Sequence, residues 1–243
     1  RFQDWSSIES NTTSVMSSND AHKTSVQITE AIARGRELRK RDMREASPET
    51  LRIYCESIVQ AARPDHRESL AEVWRIVASL DYRHPGLAKN GYLAHPLRVA
   101  MLLGDFASEE SFEGAALAMC HNLIEVGSAD THQGLGEIDA LVPGVAEWVE
   151  ALTIDRERQT NKDYLREYYG GIADRPTPVS QVKVVDKMDN LHILCLNPDA
   201  EIRAAYLSQV STFVVPLAQN SLPIAGDYLK ALIADAEMTG YQP

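Results

Sequence analysis

The sequence predicts an all-α fold, and three observations support this prediction. Apolar residues recur every three or four positions along most of the chain, which is the spacing of one face of a helix. Helix-start signals stand between these apolar stripes, as in Ser47-Pro48-Glu49. No segment alternates apolar and polar residues between hairpin turns. We therefore expect roughly ten helices joined by short loops in one domain.

The first predicted helices follow a polar, serine-rich start. Residues 1–23 lack the apolar core of a signal peptide, and we expect them to be loosely held. Because the chain begins with arginine, we expect it to start inside a longer sequence. A periodic stretch over 24–41 predicts the first helix. Ser47-Pro48-Glu49 supplies a cap and a first-turn proline for the second helix, which is predicted to end before Pro64. An apolar stripe over 70–80 predicts the third helix.

The middle of the chain continues in the same pattern. His95-Pro96 predicts the start of a helix, because proline is favoured in the first helical turn. Ser108-Glu109-Glu110 predicts the cap of an apolar helix that runs to Gly127. Two shorter apolar stripes surround the turn at Pro143-Gly144. A tyrosine-rich helix follows, with a predicted end at Gly170-Gly171.

Three further helices are predicted in the C-terminal part. Pro178 opens one that runs through Leu191, and apolar periodicity over 200–217 and 226–238 predicts the other two. The β-branched run 182–185 lies within helical periodicity, so we do not interpret it as a strand.

Composition and charge exclude several classes of protein. The 243 residues include 24 Lys and Arg against 35 Asp and Glu, which gives a net charge of −11. This acidity argues against nucleic-acid binding. No apolar run approaches the roughly 20 residues of a membrane span, so we expect no membrane association. The three cysteines form no CxxC pair, which excludes a disulfide scaffold and predicts a reducing, cytoplasmic location.

Three positions on the predicted helices carry candidate metal ligands. His95 stands at a predicted helix start, Glu125 follows His121-Asn122 by about one turn, and Asp186 lies four residues before Asn190. Each position alone has a structural explanation, as a surface helix start, a core histidine or a solvated helix face. Together, two imidazoles with carboxylate and amide oxygens suit a divalent ion such as manganese, iron or zinc. Separate helices of a bundle often supply such ligands.

These positions lie in stretches that resemble the HD superfamily of metal-dependent phosphohydrolases. Within it, the chain is most similar to the RelA/SpoT-type alarmone hydrolases, including their small single-domain forms. The resemblance spans residues 68–222 and implies an HD-type helical bundle over 67–243, preceded by an N-terminal helical extension over 24–66. The matching stretches are HPGLAKNGYLAHP (84–96), AALAMCHNLIE (115–125), KVVDKMDNL (183–191) and FVVPLA (213–218).

The resemblance implies roles for individual residues. His95, His121 and Asp186 match metal ligands, and Asn122 takes the position of an aspartate that is also a ligand. The implied cofactor is a divalent ion, with manganese expected first and iron, zinc or magnesium as alternatives. Glu125 matches an acid that helps to activate or orient the attacking water.

The resemblance also implies how a substrate is bound. Lys89 lies where a basic residue faces substrate phosphate, Lys183 is a second such candidate, and Asn190 matches an amide near the substrate. The implied substrate is a small nucleotide-like molecule, such as a guanosine tetraphosphate alarmone or a simpler phosphate ester. With Lys187, these lysines predict a locally positive pocket in an acidic chain, and we expect His84 to flank it.

Two positions depart from the family pattern. Asn122 keeps an oxygen but lacks a charge, and Val126 offers no proton acceptor where the family carries a second acid. Three explanations stay open: a metal-dependent phosphohydrolase with altered chemistry, a non-catalytic nucleotide-binding or regulatory relative, or an engineered change of an acid to its amide at position 122. The retained Glu125 favours an enzyme.

Other conspicuous residues receive structural interpretations. The basic run over 34–44 predicts a solvated helix face. Trp74 and Trp148 lie within apolar stripes and are predicted to pack in the core.

Overall fold

The computed structural model of the chain describes residues 18–82, 86–107, 111–127 and 130–242, with side chains from residue 26 onward. Within these residues the structure contains no β-strand, and Tyr82 and Gly127 form one isolated β-bridge. The all-α prediction is therefore confirmed. The α-helices are α1 (Ser18–Glu45), α2 (Pro48–Ala61), α3 (Arg67–Ser79), α4 (Lys89–Phe106), α5 (Phe112–Cys120), α6 (Leu123–Val126), α7 (Thr131–Leu141), α8 (Val145–Leu152), α9 (Lys162–Ala173), α10 (Thr177–His192), α11 (Ala200–Gln209), α12 (Val215–Ser221) and α13 (Pro223–Thr239).

Several helix boundaries follow directly from local sequence. The Ser47 side chain accepts a hydrogen bond from the Thr50 amide at 3.1 Å and thereby caps α2. Pro178 lies in the first turn of α10, where its missing N–H costs nothing. Gly144 joins α7 to α8 with a φ of 92°, a conformation that glycine adopts without steric cost. These predicted signals are confirmed.

The prediction that His95-Pro96 starts a helix is wrong. The helix α4 begins at Lys89, so His95 lies in its second turn and Pro96 in its interior. An interior proline removes one backbone hydrogen bond. Burial of Tyr92, Leu93 and Leu97 in the core stabilises the turn despite this loss.

Two other boundaries differ from the prediction. The helix predicted to run to Gly127 is interrupted at Asn122, whose φ of −101° and ψ of 5° separate α5 from α6. The glycines 170–171 lie inside α9 rather than at its end. His84, residues 108–110 and residues 1–17 lie outside the described residues, and so do the predictions made for them. The described start of α5 is capped instead by Ser111, which accepts a hydrogen bond from the Gly114 amide at 2.9 Å.

Two long helices, α4 and α10, organise the core around the candidate site. The helix α4 packs against α1, α2, α5 and α10, and α10 also contacts α9, α12 and α13. Both helices are buried around most of their circumference. Trp74 and Trp148 are partly buried and pack against the core, as predicted. All three cysteines, Cys55, Cys120 and Cys195, are buried and free.

The helix α1 packs on this core with charged residues facing inward. Ile32, Gly35, Arg39 and Asp42 follow one another at intervals of three or four residues, which places them on one face of the helix. Arg39 is 3% exposed and Asp42 is 1% exposed. The prediction that the basic run over 34–44 forms a solvated face is therefore wrong for Arg39, because its ionic partner lies on α10. Among the described helices, none is both long and apolar enough to cross a membrane.

Candidate metal centre

Three helical segments bring His95, His121 and Asp186 together. His95 comes from α4, His121 from the junction of α5 and α6, and Asp186 from α10. One nitrogen or oxygen atom from each side chain lies within 4.8 Å of the others. The Oδ1 atom of Asp186 is 3.4 Å from Nε2 of His95 and 3.7 Å from Nε2 of His121. The two imidazole rings meet edge to face, with centroids 5.2 Å apart.

His121 presents an unused nitrogen to this cluster. Its Nδ1 atom lies 2.7 Å from the carbonyl oxygen of Ala118. A carbonyl only accepts hydrogen bonds, so Nδ1 carries the proton and donates it. The Nε2 atom is buried, faces Asp186 and has no hydrogen-bond partner. A buried polar atom without a partner is costly unless it binds a ligand, and an imidazole lone pair is a common metal ligand.

Asp186 lies between cationic groups. The Nζ atom of Lys183 is 3.4 Å and that of Lys187 is 3.9 Å from Oδ2 of Asp186. Burial alone would raise the pKa of this carboxyl, but the two lysines and the two imidazoles hold the pKa well below its usual range. Asp186 is therefore a carboxylate at neutral pH, as a metal ligand must be.

The second ring nitrogen of His95 forms a hydrogen bond on the side of the ring away from Asp186. Its Nδ1 atom lies 2.8 Å from Oδ2 of Asp189, which is fully buried. Arg39 and Arg98 both bond the same carboxylate. Burial would lower the pKa of His95, but the nearby carboxylates of Asp186 and Asp189 outweigh burial and raise the pKa.

Asn122 and Glu125 have partners other than the three candidate ligands. Asn122 is partly buried and lies close to the Tyr92 hydroxyl. Glu125 accepts hydrogen bonds from the Ile154 amide at 3.5 Å and from Arg156 at 3.3 Å. Burial raises the pKa of Tyr92, and the charges of Glu125 and Asp186 raise it further. The ligand role of Asn122 and the catalytic role of Glu125 stay predictions.

The three residues predicted to bind substrate occupy different surroundings. Lys183 is 4% exposed, and its Nζ atom donates to Asp186 and to the Leu152 carbonyl. Asn190 donates to Oδ1 of Asp186 at 2.8 Å. Lys89 is exposed, with Nζ 6.0 Å from the centre of the Tyr82 ring. Lys183 and Asn190 thus contact Asp186, one of the candidate metal ligands, whereas Lys89 contacts none of these ligands. Contacts of Lys183, Asn190 and Lys89 with a substrate stay predictions.

Sequence reasoning did not identify Asp189, Arg98, Arg39 or Tyr92. A signal for Asp189 was present, because it lies next to the apolar residues of KVVDKMDNL (183–191), and a charged residue buried among apolar side chains needs a partner. Its partners could not be named from the sequence, since they lie 91 and 150 residues away.

The side chains present suit a divalent metal ion. Ligand atoms bound to one ion at about 2.1 Å lie roughly 3 to 4 Å apart, as the oxygen of Asp186 and the two imidazole nitrogens do here. The unpartnered Nε2 atom of His121 and the ionised Asp186 meet the chemical requirements for ligands. His95, His121 and Asp186 can therefore hold such an ion.

Comparison with known proteins identifies the fold. No family model matches the chain, and no curated protein sequence matches it. Among solved structures, it is similar to a metazoan ortholog of SpoT that hydrolyzes ppGpp and plays a role in starvation responses. The TM-score is 0.53 at 19% sequence identity, and the match covers 72% of this chain and 96% of that one. This chain therefore shares the all-α fold of that structure.

Proposed function

We propose that this protein is a metal-dependent phosphohydrolase of the HD type that acts on a nucleotide or alarmone phosphate ester. The observation that carries the proposal is the convergence of His95, His121 and Asp186, with a buried imidazole nitrogen that has no hydrogen-bond partner. The similarity to a structure whose protein hydrolyzes ppGpp supports the alarmone as first candidate substrate.

Three residues of this chain would hold the ion, with Asn122 as the predicted fourth. The ion, expected to be manganese, would lower the pKa of a bound water and so supply a nucleophile near neutral pH. Iron, zinc and magnesium stay alternatives, because the donor set is mixed nitrogen and oxygen.

The charged residues around the three ligands have separate tasks in this proposal. Glu125 accepts a proton from the attacking water or orients it. Lys183 and Lys187 lie within 4 Å of Asp186 and offset negative charge that develops on the phosphate. Asn190 holds Asp186 in place through its amide. Lys89, which is exposed, attracts the phosphate groups as they approach.

The test combines metal analysis with product detection. The purified protein, loaded with manganese, is offered ppGpp and a series of nucleoside monophosphates, and release of phosphate or pyrophosphate is measured. We expect turnover that stops on chelation. The variant Asn122→Asp adds a second carboxylate to the site and should bind the metal more tightly. If neither protein binds a metal, or if both bind one and release nothing, the proposed activity is wrong.

A second candidate function is nucleotide binding without turnover. Asn122 and Val126 favour it, because the family pattern has an acid at each position. Glu125 is also engaged by Arg156 and the Ile154 amide. Calorimetry with ppGpp distinguishes the two candidates: binding without product over hours supports a regulatory protein, whereas measurable turnover excludes it. In either case we propose a cytoplasmic protein that does not bind nucleic acid.

A further inference from the structure

A buried network of four charged residues lies behind His95, on the side away from Asp186. Asp189 accepts hydrogen bonds from Arg39 Nε at 2.7 Å, Arg98 Nε at 3.2 Å and Arg98 Nη2 at 2.9 Å. Arg98 also donates to Asp42 at 3.0 Å. All four side chains are at most 4% exposed. Two arginines balance two aspartates, so the network carries no excess charge.

The network determines which nitrogen of His95 faces the candidate ligands. Two guanidinium groups hold Asp189 ionised, and an ionised carboxylate only accepts hydrogen bonds. The Nδ1 atom of His95, 2.8 Å away, must therefore carry a proton and donate it. The lone pair of the neutral ring is then on Nε2, which lies 3.4 Å from Asp186. A carboxylate behind a histidine ligand fixes ring orientation and tautomer in many metal sites.

The helix α1 supplies half of this network. Arg39 and Asp42 lie three residues apart on its inward face, whereas Arg98 belongs to α4 and Asp189 to α10. Tyr54 of α2 donates a hydrogen bond to Asp42 at 3.0 Å and so links a fourth helix to the same group. The backbones of α1 and α4 also approach closely, since a methyl group added at Gly91 would lie 3.1 Å from the Met43 carbonyl oxygen.

We propose that Asp189 is a positioning residue for His95, and that Arg39 makes α1 a working part of the metal centre. Asp189 touches no substrate or metal and acts through the imidazole alone. The inference rests on the proposed metal centre. It assigns a task to the N-terminal helical segment, for which the sequence suggested none.

The first test uses the unmodified protein. Histidine labelled with nitrogen-15 and an NMR-active cadmium isotope reveal which nitrogen of His95 binds the ion and which carries a proton. We expect coupling of cadmium to Nε2, and a downfield proton on Nδ1. Coupling to Nδ1, or an Nδ1 atom without a proton, contradicts the positioning role. Absence of any cadmium binding contradicts the metal centre itself, so the two failures are distinct.

The second test compares two variants of the network. Asp189→Asn removes the charge that faces His95, and Asp42→Asn removes an equivalent buried charge that does not contact the ring. Calorimetry with cadmium should give about 10- to 100-fold weaker binding for Asp189→Asn and a much smaller change for Asp42→Asn. Equal losses in the two variants would assign the effect to the stability of the network and contradict the proposal.

A third variant tests whether α1 contributes to the metal centre, and it leaves Asp189 in place. Arg39→Gln removes one of the hydrogen bonds to Asp189 without altering the partner of His95. We expect a smaller loss of cadmium affinity than for Asp189→Asn, with the Nδ1 proton signal retained but broadened. Unchanged affinity and an unchanged signal would show that α1 has no part in the metal centre. This variant and the unmodified protein keep the proposal testable if Asp189→Asn does not fold.

Discussion

Asp186 contacts an amide, two imidazoles and two lysines of the candidate site. Its Oδ1 atom accepts a hydrogen bond from Asn190 and faces both imidazoles, while Lys183 and Lys187 approach Oδ2. A lone buried carboxylate would be strongly disfavoured. Two lysines next to one carboxylate leave an excess of positive charge, which suits a phosphate-binding pocket. The locally positive pocket itself stays a prediction.

Asp105, on α4, has no such compensation and gives a prediction of pH dependence. Burial raises the pKa of Asp105 to about 6 from the ordinary value of 3.8. The folded protein therefore holds this proton more tightly than the unfolded chain. Stability contributed by the protonated form is present below pH 3.8 and is lost as the pH rises through about 6. A shift of two units corresponds to about 3 kcal/mol.

The variant Asp105→Asn should remove this dependence. At pH 7.5 we expect the free energy of unfolding in urea to rise by about 1 to 3 kcal/mol, with a much smaller gain at pH 4. Asp227→Asn, at a side chain that is 89% exposed, is the control and should change stability by less than about 0.5 kcal/mol. An equal gain for Asp105→Asn at both pH values would contradict the assigned pKa.

The candidate ligands could be read from the sequence, whereas the residues behind them could not. His95, His121 and Asp186 lie in three ordered motifs, so their joint appearance carried information that none had alone. Arg39 lies outside these motifs, and Asp189 lies within the stretch 183–191 but received no role there. Their pairing depends on how α1 docks against α10, and a helix face with buried ion pairs has the same composition as a solvated one.

At the scale of the elements, the wrong start of α4 and the wrong end of α9 have one cause. The start of α4 lies six residues before His95, and α9 runs through Gly170-Gly171. In both places a local stop or start signal is outweighed by the burial of neighbouring apolar residues, Leu93 in α4 and Ile172 in α9. Helices in proteins owe most of their stability to such packing. Where local signals and tertiary packing favour the same helix boundary, as at Ser47, the predicted boundary is confirmed.

The docking of α1 requires a residue without a side chain at position 35. A methyl group at Gly35 would lie 2.7 Å from Nε2 of His192 and 3.0 Å from Nη1 of Arg39. His192 cannot move aside easily, since its Nδ1 atom donates to the Met188 carbonyl and its Nε2 atom accepts from the Tyr228 hydroxyl. Gly35 therefore sets the distance between α1 and α10.

A pair of glycine substitutions tests this packing. Gly35→Ala should lower the free energy of unfolding by about 1 to 2 kcal/mol, because overpacking outweighs the gain in helix propensity. Gly171→Ala, at an exposed position of α9 with open space around the added methyl group, should raise it by about 0.5 to 1 kcal/mol. Thermal unfolding of both variants decides the matter. If the two changes have the same sign, the close approach of α1 is not as described.

At the scale of the whole molecule, the buried charged and histidine side chains gather in one region. They lie on α1, α4, α10 and the junction of α5 and α6. In the described part of the chain, these residues are Arg39, Asp42, Arg98, His121, Lys183, Asp186, Asp189 and His192. Burying charges is costly, and ion pairs do not in general repay the cost. Such a cluster therefore points to function more than to stability, within a chain whose net charge is −11.

If this region holds a metal ion, the ion contributes to the stability of the whole fold. A ligand that binds only the folded state at 100 times its dissociation constant adds about 2.7 kcal/mol. For a chain of this length, that corresponds to a rise in Tm of about 5 to 10 °C. Thermal scans with manganese and after chelation should show this difference. His121→Ala should abolish it, whereas His132→Ala, at an exposed histidine of α7, should retain it. A shift that survives in His121→Ala would place the ion elsewhere, because the unpartnered nitrogen of His121 is the feature of this site that most requires a ligand.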